Sequence, residues 1–427
     1  MATYTGTEEL DGLFKVVYGE SGPVNVIPEI AMLYREIKIR DSEKQGQKFV
    51  IPVLVANSHG FTYNTSSTTA FDLNDPIAMT TQEAEVTATE LTLRDAITMR
   101  AASRSQGGNK KAFKDATELV VMNMQESHAK RLEIMYWYGG LSEGIAEADS
   151  STNVSATSTD IVFTDLSWAN GIWSGLENCK LQFYSAGGSL VSSGADSIFQ
   201  VSRINASTYT VRVTGTATGI TALDLALASA NQFAFFNGAY GEECVGVFKQ
   251  LANTSTLFGI DAAVYGLWKA NIYNVNSTQM TMRKVLKGAA VAYGRGLEGK
   301  CRLVLNPINF ADLAADLAAF RRYDGSYSRS KAENGAEKIS FYGQNGEIEV
   351  VGHPAIKPKD AALIDMKHMR RLGSTDITFN LPGLGGRIFT LLASKSGFEL
   401  RNYSDTAIFI DAPARFVYFQ NIQPLAS

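Results

Sequence analysis

The chain has 427 residues, of which 45% are hydrophobic and 19% charged, so it can bury the cores of two or three domains. Its formal net charge of −4 argues against avid binding to a polyanion, which usually needs a basic surface. The N-terminus has neither a basic start nor a continuous apolar stretch, so we expect no signal peptide.

The cysteines are spread widely through the chain and form neither a CxxC pair nor a metal-binding spacing. Their odd number also argues against a complete disulfide framework. We therefore expect Cys179, Cys244 and Cys301 to be reduced, mostly buried thiols in a cytoplasmic setting.

Residues 1–56 are predicted to form an N-terminal arm and a first strand. Short apolar pieces among charges, such as Ile30–Tyr34, favour an extended arm with a short helix. Phe49–Ala56 has the composition of a strand, and its Pro52 is tolerated at a permissive edge.

Residues 57–106 are predicted to form a long β-hairpin. Phe61–Leu73 is rich in threonine and aromatic residues, and Glu83–Arg100 contains alternating apolar and polar stretches. Neither limb has a continuous apolar face, so we favour a projecting hairpin over one packed on its own domain. Such an arm needs a neighbour to become ordered. The turn signal that marks its tip, and the candidate assembly residues there, are Asn74, Asp75 and Pro76.

A helix is predicted over Asn109–Tyr138, because the segment lacks glycine and proline for about thirty residues, or about 45 Å. Asn109 can cap its start, and two glycines follow its end. A helix this long predicts a spine across a flat or extended domain. Its core face, a second set of candidate assembly residues, is predicted to be Phe113, Ala116, Val120 and Met124.

Residues 150–243 are predicted to be an inserted all-β barrel or sandwich. Charged residues become rare there, and apolar residues alternate with polar ones near Phe199 and in Tyr209–Val213. Tyr184, Phe199 and Tyr209 offer a sugar-binding platform as one interpretation, but core aromatics are the favoured one.

Residues 244–395 are predicted to form a compact α/β domain. A helix within Asn276–Gly294 precedes a buried strand at Cys301–Leu305, and Asn306-Pro307 has the composition of a helix start. Two or three closing strands are predicted within Phe398–Gln420. The sequence as a whole therefore predicts an α+β fold.

Searches for reaction chemistry give no catalytic, cofactor-binding or metal-binding candidate. The chain has no Walker A loop, no nucleophile elbow and no HExxH motif, and none of its histidines has a second ligand three or four residues away. The basic run Lys367–Arg371 is a candidate contact to nucleic acid, although a solvated face or an intersubunit ion pair is the favoured interpretation. The histidines are His59, His128, His353 and His368.

The order of arm, long hairpin, long helix, α/β domain and closing strands resembles the major capsid proteins of tailed bacteriophages, which share the Hong Kong 97 fold. In this resemblance, 57–106 corresponds to the extended loop and 107–149 to the spine helix and peripheral domain. Residues 244–395 would be mainly axial domain with some peripheral strands, and 396–427 the closing peripheral strands. The insertion departs from the minimal pattern.

The resemblance implies a structural subunit, with no enzyme activity and no cofactor, that self-assembles as hexamers and pentamers into an icosahedral virion head. It implies nonspecific contact with packaged double-stranded DNA, synthesis in the bacterial cytoplasm and no membrane. A separate scaffolding protein, a portal and optionally a decoration protein would be its partners. No lysine lies between Lys48 and Lys110, so we expect none of the loop-lysine isopeptide crosslinks of some family members. An encapsulin-like cargo shell, or an enzyme with a β accessory domain, are the alternatives.

Overall fold

The computed structural model describes residues 30–39, 48–65, 70–98, 116–321, 339–343, 346–380, 388–391 and 396–425. Helices and strands both contribute extensively, which confirms the predicted α+β class. The helices within these ranges are α1 (Met32–Glu36), α2 (Ala116–Tyr138), α3 (Asn170–Trp173), α4 (Ala217–Ser229), α5 (Val247–Leu251), α6 (Met282–Tyr293) and α7 (Pro307–Arg321).

The strands of the same ranges are numbered in chain order. They are β1 (Phe49–Ala56), β2 (Thr80–Val86), β3 (Thr89–Thr98), β4 (Ala146–Ser155), β5 (Ser158–Phe163), β6 (Lys180–Tyr184), β7 (Phe199–Asn205), β8 (Thr210–Thr214), β9 (Gln232–Phe236), β10 (Thr256–Leu257), β11 (Ile260–Asp261), β12 (Asn271–Thr278), β13 (Cys301–Leu305), β14 (Ile339–Tyr342), β15 (Glu347–Gly352), β16 (Ala361–Ile364), β17 (Met369–Thr378), β18 (Phe389–Leu391), β19 (Gly397–Ile410) and β20 (Val417–Ile422).

The described chain forms two units. Unit 1 contains 90–131 and 375–404, whereas unit 2 contains 30–89, 132–374 and 405–425. In unit 1, β19 pairs with β18 and with β3. Buried Met124, Phe379 and Leu400 form its apolar cluster. His128 is also buried there, and its ring nitrogens hydrogen-bond Asn402 and Ser404 at 3.0 and 2.8 Å.

Unit 2 contains a six-stranded sheet in the order β12-β20-β16-β13-β15-β14. β13 runs parallel to β15 and antiparallel to β16, so the sheet is mixed. One apolar cluster joins the sheet to α6 and α7 through residues such as Leu303, Phe419, Val285 and Leu313. The predicted strand Cys301–Leu305 is confirmed as β13. The predicted helix start is confirmed as well, because α7 begins at Pro307.

The predicted hairpin is wrong in its limbs. β1 pairs antiparallel with β2, whereas Phe61–Leu73 forms no strand in the part that is described. The predicted second limb divides into β2 and β3, and β3 pairs with β19. Alternate residues Ala84 and Val86 of β2 are buried, so burial at this short root, rather than threonine and aromatic composition, selects the pairing.

The inserted segment forms a closed barrel in the order β4-β5-β8-β7-β6-β9, but it is not all-β. Helix α4 lies within it because Thr216 caps the helix start and Ile220, Leu223 and Leu227 place one apolar face inward. The sugar-binding platform is not formed, because Phe199 is fully buried. Tyr184 instead stacks on Tyr240 with ring centroids 4.1 Å apart.

The closing strands join different sheets. β19 pairs with β18 and β3, whereas β20 lies between β12 and β16 in the six-stranded sheet. A short 3-10 turn begins at Pro413 and separates β19 from β20. Strand β20, near the end of the chain, therefore completes the six-stranded sheet. From the resemblance, this sheet was expected to come mainly from residues 244–395.

A seam of backbone contacts fastens the barrel to the loop at 354–359. The amide of Gly171 donates to the carbonyl of Pro354 at 2.9 Å, and the amide of Lys359 donates to that of Leu166 at 3.2 Å. The approach is so close that a Cβ on Gly171 would lie 2.6 Å from the carbonyl carbon of Pro354. The barrel therefore braces unit 2 through a contact that only glycine fits.

The Lys357 side chain lies beside this seam and is buried. Its Nζ donates to the carbonyl of Gly144 at 2.8 Å and lies 4.4 Å from the centre of the Tyr138 ring. Removal from water, with a smaller contribution from the neighbouring Lys359, lowers the pKa of Lys357 to about 8. Asp360 opposes this shift, but burial outweighs its charge.

Gly171→Ala is expected to lower the free energy of unfolding by about 1–3 kcal/mol, because the new methyl group must displace backbone at the seam. Gly187→Ala is the matched control, since an added Cβ there meets only Ser185 Oγ at 3.9 Å. Urea unfolding of the unassembled protein measures both. Equal stability of the two variants would contradict a bracing seam.

Lys357 also predicts a pH dependence of stability. Because its pKa is lower in the folded chain, the unfolded chain binds more protons between about pH 8 and 10.5, and stability rises with pH there. The unfolding free energy of the wild type minus that of Lys357→Met should rise by about 2 kcal/mol from pH 7.5 to 9.5. A flat difference in urea unfolding would refute this prediction.

Candidate assembly surface

The projecting loop, defined as residues 49–86, is fastened to unit 2 at its root. The pairing of β1 with β2 runs from Phe49 opposite Val86 to Ala56 opposite Thr80, with an irregularity after Leu54. The amide of Glu85 on β2 donates to the carbonyl of Phe258 at 2.9 Å. Gln82 Nε2 donates to the Tyr265 hydroxyl at 3.2 Å. These contacts orient the loop without covering the residues beyond the root.

The candidate tip residues lie along one side of the loop rather than at its turn. The amide of Asn74 donates to Thr62 Oγ1 at 2.8 Å, and its Nδ2 donates to the carbonyl of Phe61 at 2.9 Å. Asp75 and Pro76 follow and are exposed. The chain therefore reverses between Thr62 and Asn74, which corrects the predicted tip: the Asn-Asp-Pro signal marks a cross-loop contact.

Large apolar side chains are exposed along the loop beyond its root. Tyr63 is 90% exposed and Leu73 is 78% exposed. Isolated exposed apolar residues are ordinary, but a concentration of them marks a surface that contacts a partner. The exposed apolar residues of 57–79 are Phe61, Tyr63, Phe71, Leu73, Ile77 and Met79.

The loop also has one sign of charge. No lysine or arginine occurs from Phe49 to Leu93. The acidic residues of the same stretch are Asp72, Asp75, Glu83, Glu85 and Glu90. A partner surface that covers the loop should therefore be apolar with cations nearby.

The N-terminal end of α1 is held by a carboxylate of the long helix α2. Glu133 is fully buried, and its two oxygens accept the amides of Leu33 and Tyr34, each at 3.0 Å. Trp137 Nε1 donates to the same carboxylate at 2.8 Å. The negative charge satisfies free amides at the first turn of α1, where the helix dipole also favours an anion.

The opposite end of α1 is held by a buried guanidinium. Arg371 Nη1 donates to the carbonyls of Tyr34 and Ile37 at 3.1 and 3.0 Å, and Nε donates to the Tyr136 hydroxyl at 3.1 Å. The guanidinium also lies 4.6 Å from the centre of the Tyr34 ring. A cation at this end complements the dipole, so α1 is clamped between opposite charges.

The interpretation of Lys367–Arg371 as a solvated face or nucleic-acid contact is wrong for part of the run. Arg371 is 1% exposed and belongs to the α1 clamp. His368 and Arg370 both pair with Asp411, at 2.7 and 2.9 Å. Met369 and Arg371 are buried and Arg370 between them is half-buried, as expected for successive strand residues that point to opposite faces of a sheet.

The predicted core face of the long helix is described in part. Met124 is buried in the unit 1 cluster, and Val120 is half-buried against it. Phe113 and the side chain of Ala116 lie outside the described residues. A direct role of this face, or of Asn74, Asp75 and Pro76, in assembly stays a prediction.

Groups with reaction chemistry are engaged in structural contacts. The His353 Nε2 lies 2.9 Å from the carbonyl oxygen of Ile30, and burial lowers the pKa of His128. Over the described ranges, no cluster of three or more histidine, cysteine or acidic residues is arranged to hold a metal ion. The cysteines are free thiols, and Cys244 and Cys301 are buried. No helix in the described part of the chain is long and apolar enough to span a bilayer.

Comparisons with known proteins find similarity in structure alone. No family profile and no curated protein matches the chain. The capsid asymmetric unit of cyanophage A-1(L) matches with a TM-score of 0.56 and 10% identity, over 98% of this chain and 98% of that one. The capsid of a native GTA particle matches with a TM-score of 0.51 and 8% identity, over 99% and 100%. An encapsulin complex from Synechococcus elongatus matches with a lower TM-score of 0.45 and 8% identity, over 100% of this chain and 98% of that one.

The cyanophage and GTA matches, each with a TM-score above 0.5, extend over almost the whole of each chain, so the fold is shared over most of its length. The chain has the Hong Kong 97-type fold of tailed-phage capsid proteins, as the order of its predicted elements implied.

Arg371→Met is expected to destabilise the protein by about 2–4 kcal/mol, because buried carbonyls at the end of α1 lose charged donors. Arg370→Met is the adjacent control and should cost at most about 1 kcal/mol, since its ion pair with Asp411 is partly solvated. Hydrogen exchange should accelerate at residues 33–37 in the first variant only. Equal protection there in both variants would refute the clamp.

Proposed function

We propose that this chain is the major capsid protein of a tailed bacteriophage, and that many copies assemble into the shell that encloses its DNA. The observation that carries the proposal is the apolar, cation-free loop, which projects from an anchored root and remains uncovered by the described residues. Burial of these side chains against another copy gives a driving force for assembly. The whole-chain fold similarity to phage capsid subunits supports the same conclusion.

The proposed function also implies how the subunits are arranged and which proteins they contact. Closed shells of this architecture combine hexamers and pentamers, so we infer that one interface serves both through small adjustments at the anchored root. A separate scaffolding protein, a portal and a decoration protein are the proposed partners. The acidic net charge of −4 favours weak, nonspecific contact with packaged DNA over tight binding.

Leu73 provides a direct test because it is 78% exposed and contributes little to the protomer's own core. Leu73→Asp should reduce the yield of closed particles at least about tenfold, while the unfolding free energy of the protomer changes by less than about 0.5 kcal/mol. Leu225→Asp is the matched control, since Leu225 is 72% exposed on the barrel helix α4. Electron microscopy and sedimentation measure particle yield.

Particle formation that is equal in the two variants would contradict a role of the loop in assembly. The contents of purified particles separate the two kinds of shell. Genomic DNA with a portal supports the phage head, whereas an enclosed protein cargo with no DNA supports the encapsulin-like alternative.

A further inference from the structure

The six-stranded sheet has a depression of about 270 Å³ at its β12 edge, between this strand and α6. Two cations line it, Lys269 just before β12 and Arg295 just after α6. Among the described residues, no carboxylate lines it. We call this surface the edge depression and define it by Lys269, Asn271, Ile272, Tyr273, Val291 and Arg295.

Asn271, which lines the edge depression, has a buried hydrogen-bond acceptor without a partner. The residue is 7% exposed, and its Nδ2 donates to the carbonyls of Ala414 and Phe416 at 2.7 and 3.0 Å. Both amide hydrogens are therefore used, which fixes the orientation of the side chain. No described residue donates to the buried Oδ1. Because an unsatisfied buried acceptor is costly, a ligand at Asn271 is favoured if it brings an N–H donor.

Strand β12 also has backbone groups that no strand of the described chain uses. It pairs on one side, parallel to β20, and the amide of Asn271 donates to the carbonyl of Phe416 at 3.0 Å. Because a strand faces each neighbour with alternate residues, the amides and carbonyls of Ile272 and Asn274 point to the open edge. An extended peptide adds to such an edge through main-chain hydrogen bonds.

The surroundings of the edge depression are cationic. Lys269 is half-buried there and Arg295 is exposed. The helix α6 adds exposed Arg283 and Lys287, and its sequence contains no acidic residue. Val291 on the same helix is 51% exposed and makes part of the lining apolar. A complementary ligand therefore carries negative charge beside apolar groups.

These features favour a peptide over a nucleic acid. A phosphate backbone is anionic, but its oxygens are acceptors and leave Asn271 Oδ1 without a donor. A peptide strand presents its side chains alternately to the two faces of a sheet. One face can therefore carry acids and an amide toward Lys269, Asn271 and Arg295, while the other carries apolar side chains toward exposed Ile272.

We propose that the edge depression binds an extended segment of a separate protein as an added strand beside β12. On the side of α6, acids of this segment contact Lys269 and Arg295, and an amide side chain between them donates to Asn271 Oδ1. On the other side, apolar residues of the segment contact Ile272.

The small size of the edge depression indicates a transient partner. Its volume lies just below the range of about 300–1,000 Å³ that is usual for ligand pockets, so a segment of a few residues fills it. Permanent interfaces between subunits are much larger, whereas small contacts are typical of partners that bind and leave. The scaffolding protein has this property, and its identification as the partner rests on the proposed function.

Fluorescence anisotropy of a labelled peptide, with the unassembled full-length chain, tests the site. The probe has the order glutamate, leucine, glutamine, leucine, glutamate, leucine. Arg295→Gln should weaken its binding at least about fivefold through the loss of a facing charge. Lys287→Gln is the matched control, because Lys287 is an exposed cation of α6 that does not line the depression. Equal weakening in the two variants would overturn the proposed site.

A second peptide, with glutamate in place of the glutamine, tests the role of Asn271. It carries one more negative charge, so attraction to a basic surface alone predicts tighter binding. The proposed contact predicts binding at least about fivefold weaker, because Asn271 Oδ1 then faces a carboxylate instead of a donor. Tighter binding of the second peptide would refute the contact.

Hydrogen exchange tests the added strand. The first peptide should slow exchange of the Ile272 and Asn274 amides at least about tenfold, because both become hydrogen-bonded. Strand β14, at the opposite edge of the same sheet, is the control and should be unaffected. Peptide binding without protection of these two amides would contradict strand addition.

Competition identifies other occupants. Displacement of the probe by a duplex DNA oligonucleotide, or by a synthetic peptide of residues 59–79, would overturn a separate protein as the ligand. Shell formation is measured independently of these titrations. A chain that forms shells but does not bind the probe loses this site alone, whereas a chain that binds the probe but forms no shell loses the proposed function.

Discussion

The buried carboxylate of Glu133 is the interaction on which the rest of unit 2 depends. The last turns of α2, from Leu132 to Tyr138, are buried on every side. One ionised group in such a place is costly unless it is fully hydrogen-bonded, and here two backbone amides and an indole satisfy it. The partners of Glu133 are therefore required by its burial, which forces α1 into one position.

The neighbours of Glu133 on α2 extend this network. The Tyr136 hydroxyl shares a hydrogen bond of 2.7 Å with the Thr406 hydroxyl and accepts another from Arg371 Nε. The Tyr138 hydroxyl accepts a hydrogen bond from the amide of Lys357 at 2.7 Å. A single helix segment thus contacts α1, β17, β19 and the loop at 354–359. The anchored root of the projecting loop belongs to the same unit.

Regular packing was predictable from the sequence, and long-range polar contacts were not. Cys301–Leu305 reads as a buried strand because five consecutive residues have few polar atoms, and the structure agrees. The helix Ala217–Ser229 was missed because threonine and glycine at its start resemble a strand-rich segment, although Ile220, Leu223 and Leu227 have helical spacing. No local pattern reveals the contacts of Glu133 and Arg371 with the backbone of α1, since those partners lie about a hundred or more residues away.

The candidate assembly surface also has some features that the sequence predicts and others that it does not. The composition of the loop predicts that it lacks cations and that a partner outside the protomer covers it. The composition does not predict where the loop turns. Asn74-Asp75-Pro76 is a genuine turn signal in isolation, yet Asn74 bonds across the loop to Phe61 and Thr62 instead. Local propensity is a weak preference that such a contact overrides. Which segments pair at the root of the loop depends on where Ala84 and Val86 can be buried.

The separation of charge between the loop and α6 has a consequence for assembly. Screening in physiological salt limits attraction between exposed charges to about 8 Å, so the acids of the loop cannot supply most of the affinity. Apolar contacts must provide it, and the charges select orientation and partner. In the proposed shell, each contact alone is modest, but it is repeated around every subunit, so weak contacts together give a stable assembly. The net charge of −4 does not reveal this separation, because it sums 39 basic and 43 acidic residues over the whole chain.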